Sequence, residues 1–221
     1  MNNKFFYNIC FLVCALFIIQ TQAFAEPINL GLLKQDLVDY HDSGKYLNEI
    51  KSVATQAMTY IDQSVEINEH LPQPKKLAIV LDIDETSLSN FSNMKQNDFA
   101  NIPDKITAQL LAADEPAIQP VLDLYTKALQ KNIAIFFVTG RDQTLAEATT
   151  QNLQAAGYMS WSGLEFRPAH ASSSAYKIAT RAKISNQGYT IIASIGDQES
   201  DLVGGYAQRT FKLPNPYYYI P

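Results

Sequence analysis

Cysteine and histidine are scarce in this 221-residue chain, which has two cysteines and three histidines. Both cysteines, Cys10 and Cys14, lie within the first 25 residues, so the rest of the chain has no disulfide and no cysteine metal site. The histidines, His41, His70 and His170, do not have the spacing of a metal-binding set. These absences exclude a disulfide scaffold, a zinc finger and thiol chemistry.

Positive charge is also in short supply. The chain has 17 Lys and Arg residues against 22 Asp and Glu residues, which gives a net charge of -5. Nucleic-acid binding depends on Lys and Arg displacing counterions, so this balance argues against a nucleic-acid polymer as a partner. Hydrophobic residues make up 47% of the chain and charged residues 18%, which excludes a disordered composition and is sufficient for a core.

Only one long hydrophobic run stands out, Phe5–Ile19, between Lys4 and the small residues Ala23 and Ala25. A basic start, an apolar middle and a small-x-small exit predict a secretory signal peptide over residues 1–25. A membrane anchor or a buried helix is the alternative, but the run is shorter than the about 20 residues that cross a bilayer, and a cleavage site follows it directly. We therefore expect an exported protein, periplasmic or secreted, with no stable membrane anchor after cleavage.

Residues 26–74 are predicted to form an N-terminal helical extension. A short helix is expected over residues 29–41, and a longer one over residues 45–68, before Pro72 and Pro74. In the longer stretch, apolar residues recur at spacings of three and four, which places them on one helix face. Those residues are Leu47, Ile50, Val53, Ala54, Ala57, Met58, Ile61 and Val65.

From residue 77 onward, short apolar runs alternate with helical patterns. The apolar runs occupy residues 77–81, 133–138, 164–167, 190–195 and 210–213. The helical patterns occupy residues 117–131, 143–156, 173–187 and 199–207. This alternation predicts an α/β fold, a Rossmann-like three-layer parallel sheet, over residues 75–221. Residues 87–116 do not fit a crossover helix and are interpreted as a small cap-like insertion.

Polar and acidic side chains follow three of the predicted strands. The carboxyl ends of parallel strands meet at one edge of the sheet, where open α/β folds bind their ligands. Three strand ends that all deliver such groups therefore predict a single site, completed by a lysine from the helical stretch between the last two. The candidate residues are Asp82, Asp84, Thr139, Gly140, Arg141, Lys177, Asp197 and Asp201.

The spacing of Asp82 and Asp84 suggests acid–base chemistry. Two close carboxylates repel each other and separate their proton affinities, so one can act as a nucleophile while the other carries a proton. Asp197 and Asp201 add negative charge, which favours an oxygen-liganded cation such as Mg²⁺. An acidic cluster favoured by a helix dipole is the alternative; it accounts for Asp201 but not for the first pair.

Thr139, Arg141 and Lys177 supply hydrogen-bond donors and positive charge, which a transferring phosphoryl group requires. Thr139 would hydrogen-bond a phosphoryl oxygen, and Lys177 would neutralise charge near Asp82. Arg141 has a second interpretation, because an arginine that opens a helix often makes only a surface ion pair.

Four segments resemble the motifs of the haloacid dehalogenase superfamily. They are Asp82-Ile83-Asp84-Glu85-Thr86, Thr139, Lys177 and Gly196-Asp197-x-x-x-Asp201. Within the superfamily, the chain is similar to the class B acid phosphatases, which include bacterial exported phosphatases and plant acid phosphatase/vegetative storage proteins. The similarity to this class covers about residues 75–221 and includes Leu81–Asn90, Thr139-Gly140-Arg141, Tyr176-Lys177 and Phe211–Pro216.

The resemblance implies hydrolysis of a small-molecule phosphate monoester, with a nucleotide among the candidates, through an aspartyl-phosphate. Asp82 would be the nucleophile, and Asp84 would protonate the leaving oxygen and then activate water. Mg²⁺ would be held by the Asp82 carboxylate, the Asp84 backbone carbonyl and Asp197, with Asp201 in support. Lys177 and the Thr139-Gly140-Arg141 segment would contact the phosphate.

Two other classes of protein share part of this pattern. In a two-component receiver domain the acidic pair precedes the phosphorylated aspartate, whereas here Asp197 and Asp201 follow Asp82. A non-catalytic or weakly active storage or binding protein on the same fold is the second alternative. Some storage-type relatives lack the first aspartate of the motif, but Asp82 is present in this chain.

Apolar residues beside the predicted site permit two interpretations. Phe91, Met94 and Phe99 of the insertion could stack on a leaving group, or they could pack the insertion onto the domain. The run of three tyrosines at 217–219 presents the same choice, with a homo-oligomer contact as a further interpretation.

Overall fold

The computed structural model describes residues 26–220. The chain divides between Leu33 and Lys34 into two compact units, and the elements below lie in the second, apart from the start of the first helix. The predicted signal peptide lies outside the described residues and stays a prediction. Among the helices of the described part, none combines the length and the apolar character that a membrane crossing requires.

The centre of the fold is one five-stranded sheet whose strands are all parallel. Across the sheet the strands lie in the order β3-β2-β1-β4-β5, so the first strand is central. Their bounds are β1 Lys76–Leu81, β2 Ala134–Asp142, β3 Gly163–Arg167, β4 Tyr189–Gly196 and β5 Ala207–Lys212.

Seven α-helices are present in the described residues, together with two 3₁₀ turns, Gln143–Leu145 and Glu199–Asp201. The helices are α1 Leu30–Asp42, α2 Lys45–Glu69, α3 Phe91–Gln96, α4 Pro103–Ala112, α5 Gln119–Gln130, α6 Ala146–Ala155 and α7 Ser173–Asn186.

Helices cover both faces of the sheet. Successive side chains of a strand point to opposite faces. Ile79 and Leu81 of β1 therefore pack in one cluster with α2 and α5, while Val80 between them packs with Ile184 of α7. The predicted three-layer α/β fold is confirmed, and its central strand ends in the middle of the carboxyl edge.

The segment 87–116 carries α3 and α4 near that edge. The Phe91 ring stacks on His41 of α1, with ring centroids 3.5 Å apart and planes inclined by 6°. Phe91 is buried, which favours its packing interpretation, whereas Met94 and Phe99 line a cleft.

The prediction of a helix over residues 199–207 is wrong. Only the 3₁₀ turn forms there, and β5 begins at Ala207. Gly204 and Gly205 have φ angles of 87° and 81°, a left-handed conformation that ends a helix. In addition, the buried guanidinium of Arg181 donates hydrogen bonds to carbonyl oxygens of this loop, which a continuous helix would use internally.

Candidate active site

Three aspartates meet at the carboxyl edge of the sheet. Asp82 follows β1, Asp197 follows β4, and Asp201 ends the 3₁₀ turn after Asp197. All three are buried, and each has a carboxylate oxygen within 4.8 Å of the others. The Asp82 backbone N–H donates to the carbonyl of Ile195 at 3.0 Å, so the pairing of β1 with β4 continues into the site.

Lys177 of α7 is the cation beside these carboxylates. Its Nζ donates to Asp82 Oδ1 at 2.7 Å and also to Asp201 Oδ1. Burial favours neutral lysine, but Asp82 and Asp201 outweigh this effect and raise the pKa of Lys177 above its usual value. Lys177 is therefore a permanent positive charge at the centre of the site.

The three carboxylates still carry more charge than Lys177 neutralises. Burial, followed by the charge of Asp201, raises the pKa of Asp82 well above its ordinary value, although Lys177 lowers it in part. Burial and Asp201 likewise raise the pKa of Asp197. A buried all-oxygen donor set with excess negative charge fits a hard divalent cation, which prefers carboxylate ligands.

Neighbouring side chains orient the Asp197 carboxylate. Thr86 Oγ1 donates to Oδ1 at 3.1 Å, while Gln198 Nε2 and Asn215 Nδ2 donate to Oδ2 at 2.6 and 2.7 Å. These donors fix the side chain, as the partners of metal-binding carboxylates commonly do.

Asp201 approaches the end of β4 closely because residue 196 is a glycine. A Cβ atom at Gly196 would overlap the Asp201 side chain. Asp201 Oδ2 accepts from the backbone N–H of Gln198 at 2.9 Å, which closes the turn between the two aspartates. The glycine that precedes Asp197 is thus needed to bring both aspartates to one place.

Asp84 is held by Arg141 rather than by lysine. Arg141 donates to Asp84 Oδ1 from Nη2 at 2.7 Å and from Nε at 3.1 Å, and to Oδ2 from Nε at 3.2 Å. Arg141 is only 4% exposed, so the surface-pair interpretation of this residue is not what the structure shows. Burial favours protonated Asp84, but Arg141 and Asn90 outweigh burial and lower its pKa.

The three residues of the Thr139-Gly140-Arg141 segment at the end of β2 have different surroundings. Thr139 is fully buried, and its Oγ1 accepts from the Arg141 backbone N–H at 3.0 Å. Gly140 lines the cleft, and its carbonyl accepts from Arg167 Nε at 2.9 Å. Contact of this segment with phosphate stays a prediction.

Sequence reasoning assigned no hydrogen-bonding role to four residues that bond to predicted site residues or to their direct neighbours in the chain. Asn90 donates to Asp84, Tyr218 to Glu85, Asn215 to Asp197, and the backbone N–H of Ile220 to Gln198. Three of these four lie in residues 213–220, which we call the closing segment. The sequence pointed to Asn90 and Asn215 only in that they lie in the stretches Leu81–Asn90 and Phe211–Pro216, which resemble the class B acid phosphatases.

A cleft of about 590 Å³ opens above the carboxylates. Its polar floor contains Asp82, Asp84, Lys177 and Asp197, whereas Thr139 and Asp201 are not among its lining residues. Its walls are largely apolar and come mainly from the segment 87–116 and the closing segment. The apolar wall residues include Met94, Phe99, Ile106, Leu110, Tyr218 and Tyr219.

The parallel sheet, whose central strand delivers Asp82 and Asp84 beside a buried carboxylate cluster and a lysine, has the arrangement expected for a phosphoric monoester hydrolase of the haloacid dehalogenase type. The chain belongs to the HAD superfamily, subfamily IIIB (acid phosphatase), whose family model matches residues 23–221. This assignment excludes the receiver-domain alternative.

Relatives include both phosphatases and storage-type plant proteins. The chain is 35% identical to the stem 28 kDa glycoprotein of Glycine max over 193 residues, 82% of this chain and 72% of that protein. It is 31% identical to acid phosphatase 1 of Solanum lycopersicum, covering 79% of this chain and 69% of that protein. The class C acid phosphatase of Bacillus anthracis has the same fold, with a TM-score of 0.68 at 20% identity over 85% and 86% of the two chains.

Proposed function

We propose that this protein is an exported, Mg²⁺-dependent acid phosphatase that hydrolyses small-molecule phosphate monoesters through an aspartyl-phosphate on Asp82. The observation that carries the proposal is the environment of Asp82. Its carboxylate lies on the floor of an open cleft, beside Lys177 and two further buried aspartates. Few structural needs would justify this much buried charge, whereas phosphoryl transfer requires it.

Asp82 Oδ1 is engaged by Lys177, which holds the carboxylate in one orientation toward the cleft. In the proposed reaction, an Asp82 oxygen forms a bond to phosphorus while the bond to the leaving oxygen breaks. Lys177 compensates charge that collects on the phosphoryl oxygens. Asp84 gives a proton to the leaving oxygen and later takes one from the water that hydrolyses the aspartyl-phosphate. Because Arg141 and Asn90 lower the pKa of Asp84, this carboxyl is a strong acid when it is protonated and a carboxylate otherwise.

The metal would be held by the Asp82 and Asp197 carboxylates together with the backbone carbonyl of Asp84, with Asp201 in support. When bound, Mg²⁺ would supply positive charge against the phosphate and against the three carboxylates. The donor chemistry supports this assignment, since all the candidate ligand atoms are oxygens and the buried trio carries excess negative charge.

Export is supported by the pattern of residues 1–25. The apolar walls of the cleft support a monoester whose leaving group is at least partly apolar, a nucleoside monophosphate among the candidates.

A storage role is the second candidate, because relatives named stem glycoprotein and vegetative storage protein match this chain. The presence of Asp82 favours catalysis over storage. A storage protein has no evident need for a buried aspartate whose pKa is raised well above its ordinary value.

The proposal is tested by hydrolysis of p-nitrophenyl phosphate with Mg²⁺ or with EDTA. Asp82→Asn should reduce kcat/KM by more than about 10³-fold, as removal of a nucleophile does elsewhere. Asp123→Asn, an exposed aspartate on α5, should retain turnover. Turnover that survives both EDTA and Asp82→Asn would contradict the mechanism. A folded wild-type protein with Mg²⁺ that hydrolyses no monoester would favour the storage role.

A further inference from the structure

The two oxygens of Asp84 have unequal surroundings. Oδ1 accepts from Arg141 Nη2 at 2.7 Å, from Arg141 Nε at 3.1 Å and from Asn90 Nδ2 at 2.9 Å. Oδ2 accepts only from Arg141 Nε, at 3.2 Å, among the described residues. Oδ1 is therefore occupied by donors, and Oδ2 is the oxygen with capacity left for a further hydrogen bond.

Asn90 is fixed so that its amide nitrogen faces Asp84. Its Nδ2 has two hydrogens, and the second is directed to Glu85 Oε2 at 3.2 Å. The Asn90 backbone N–H also donates to Glu85 Oε1, at 2.6 Å. A flipped amide would turn its oxygen toward the Asp84 carboxylate, so the observed orientation is the one that Asp84 enforces.

The backbone conformation of Glu85 places its carboxyl group beside Asn90. It is 1% exposed and has a φ of 54°, a left-handed conformation that is unusual for glutamate. This conformation lets the carboxyl reach both the backbone and the side chain of Asn90. A strained backbone at a site often accompanies a positional requirement.

Tyr218 secures the other side of Glu85. Its hydroxyl donates to Glu85 Oε2 at 2.9 Å, from the closing segment that follows β5. A continuous chain of hydrogen bonds thus runs from Tyr218 through Glu85 and Asn90 to Asp84. It connects the segment after the last strand with the segment after the first.

We propose that Asn90 is a positioning residue for Asp84, held by Glu85 and Tyr218, and that it fixes the carboxyl so that Oδ2, the less occupied oxygen, meets the leaving group. Asn90 would act through this orientation and not through proton affinity, since its hydrogen bond lowers the pKa of Asp84. The inference rests on the proposed function, in which Asp84 is the general acid. As the bond from phosphorus to the leaving oxygen breaks, its electron pair stays on that oxygen and takes the proton from Oδ2. The bond from Asp82 to phosphorus forms in the same step.

Leaving groups of different acidity test this role. The alkoxide from an alkyl phosphate needs the proton, whereas p-nitrophenolate departs well without it. We expect Asn90→Ala to lower kcat/KM on an alkyl phosphate about tenfold or more, and on p-nitrophenyl phosphate by less than about threefold, a fraction of the 10²–10⁴ that general acid catalysis supplies. Asp84→Asn should show the same selectivity more strongly.

Asn152→Ala is the control, because it removes another buried amide, one that donates to the Glu115 carbonyl oxygen and lies outside the cleft lining. This variant should change kcat/KM by the same factor on both substrates. Tyr218→Phe keeps the ring in the cleft wall and removes only the hydroxyl that bonds to Glu85. It should therefore give a smaller loss of the same selectivity even where Asn90→Ala fails to fold.

Equal losses on the two substrates for both Asn90→Ala and Tyr218→Phe would overturn the inference while leaving the phosphatase intact. The proposed function fails in a different way, through a folded wild-type protein that hydrolyses neither substrate, and the inference fails with it.

Discussion

At the scale of single residues, burial disfavours ionisation at a further carboxyl group besides those of Asp82 and Asp197. Glu115 is 3% exposed, its Oε2 has no hydrogen-bond partner among the described residues, and its Oε1 is 3.4 Å from Asn93 Nδ2. Burial raises the pKa of Glu115 to about 7, although Arg141 opposes the shift. Between pH 4.5 and about 7, therefore, Glu115 is protonated in the folded protein but ionised in the unfolded chain.

This difference predicts a stability that depends on pH. Because the folded pKa is about 7 and the unfolded value is 4.5, the proton on Glu115 favours folding at acid pH. That contribution is lost as the pH rises from 4.5 to about 7, and it amounts to about 3 kcal/mol at most. Glu115→Gln should flatten this part of the pH profile, as measured by urea unfolding.

Glu147→Gln, an exposed glutamate on α6, provides the control and should leave the profile as it is in the wild type. A Glu115→Gln profile that coincides with the wild-type profile from pH 4 to 8 would show that Glu115 is not protonated in the folded state.

At the scale of elements, the end of β4 and the following turn act together. Gly196, Asp197 and Asp201 come from one stretch of chain, and Arg181 of α7 binds the carbonyl oxygen of Asp201 at 2.8 Å. The Asp201 carbonyl also accepts from Ser194 Oγ at 2.9 Å. The turn is therefore fixed from both the strand and the helix, and Asp201 has little freedom to move.

Gly196→Ala should disturb this arrangement, because the new methyl group would overlap the Asp201 side chain. We expect the Mg²⁺ concentration for half-maximal activity to rise about tenfold or more, as it does when the partners of metal ligands are altered. Gly163→Ala provides the comparison, since its methyl group would meet the Phe136 ring on another strand. It should lower stability without changing the Mg²⁺ requirement; an equal Mg²⁺ effect in both variants would contradict the prediction.

The elements also show what could be predicted from sequence. Apolar runs located all five strands, and the rule that strand ends share an edge brought the candidate aspartates to one place. Lys177, on the helix α7, was assigned from the motif order instead. The loop after Asp201 was misjudged because its conformation depends on Arg181 and a glycine pair, not on local periodicity. Asn90, Asn215 and Tyr218 were missed because an amide or a hydroxyl gains its role only from the carboxylate that it meets in the folded chain.

At the scale of the whole molecule, the closing segment and the insertion surround a site whose charge is unbalanced. The chain has a net charge of -5, so the rest of the molecule does not compensate the buried carboxylates. Repulsion among Asp82, Asp197 and Asp201 lowers the stability of the metal-free fold. A divalent cation at this site would relieve that repulsion, and its binding would stabilise the entire domain.

Mg²⁺ should therefore raise the melting temperature of the wild-type protein. At a concentration 100 times its Kd, the ion would contribute about 2.7 kcal/mol, which corresponds to about 5–10 °C for a domain of this size. Asp197→Asn should abolish most of this shift, because it removes one of the three buried carboxylates, while its metal-free form should melt no lower than that of the wild type. Asp123→Asn should keep the full shift. Differential scanning fluorimetry measures these melting temperatures. Equal Mg²⁺-induced shifts in the wild type and in Asp197→Asn would show that Mg²⁺ binds elsewhere on the protein.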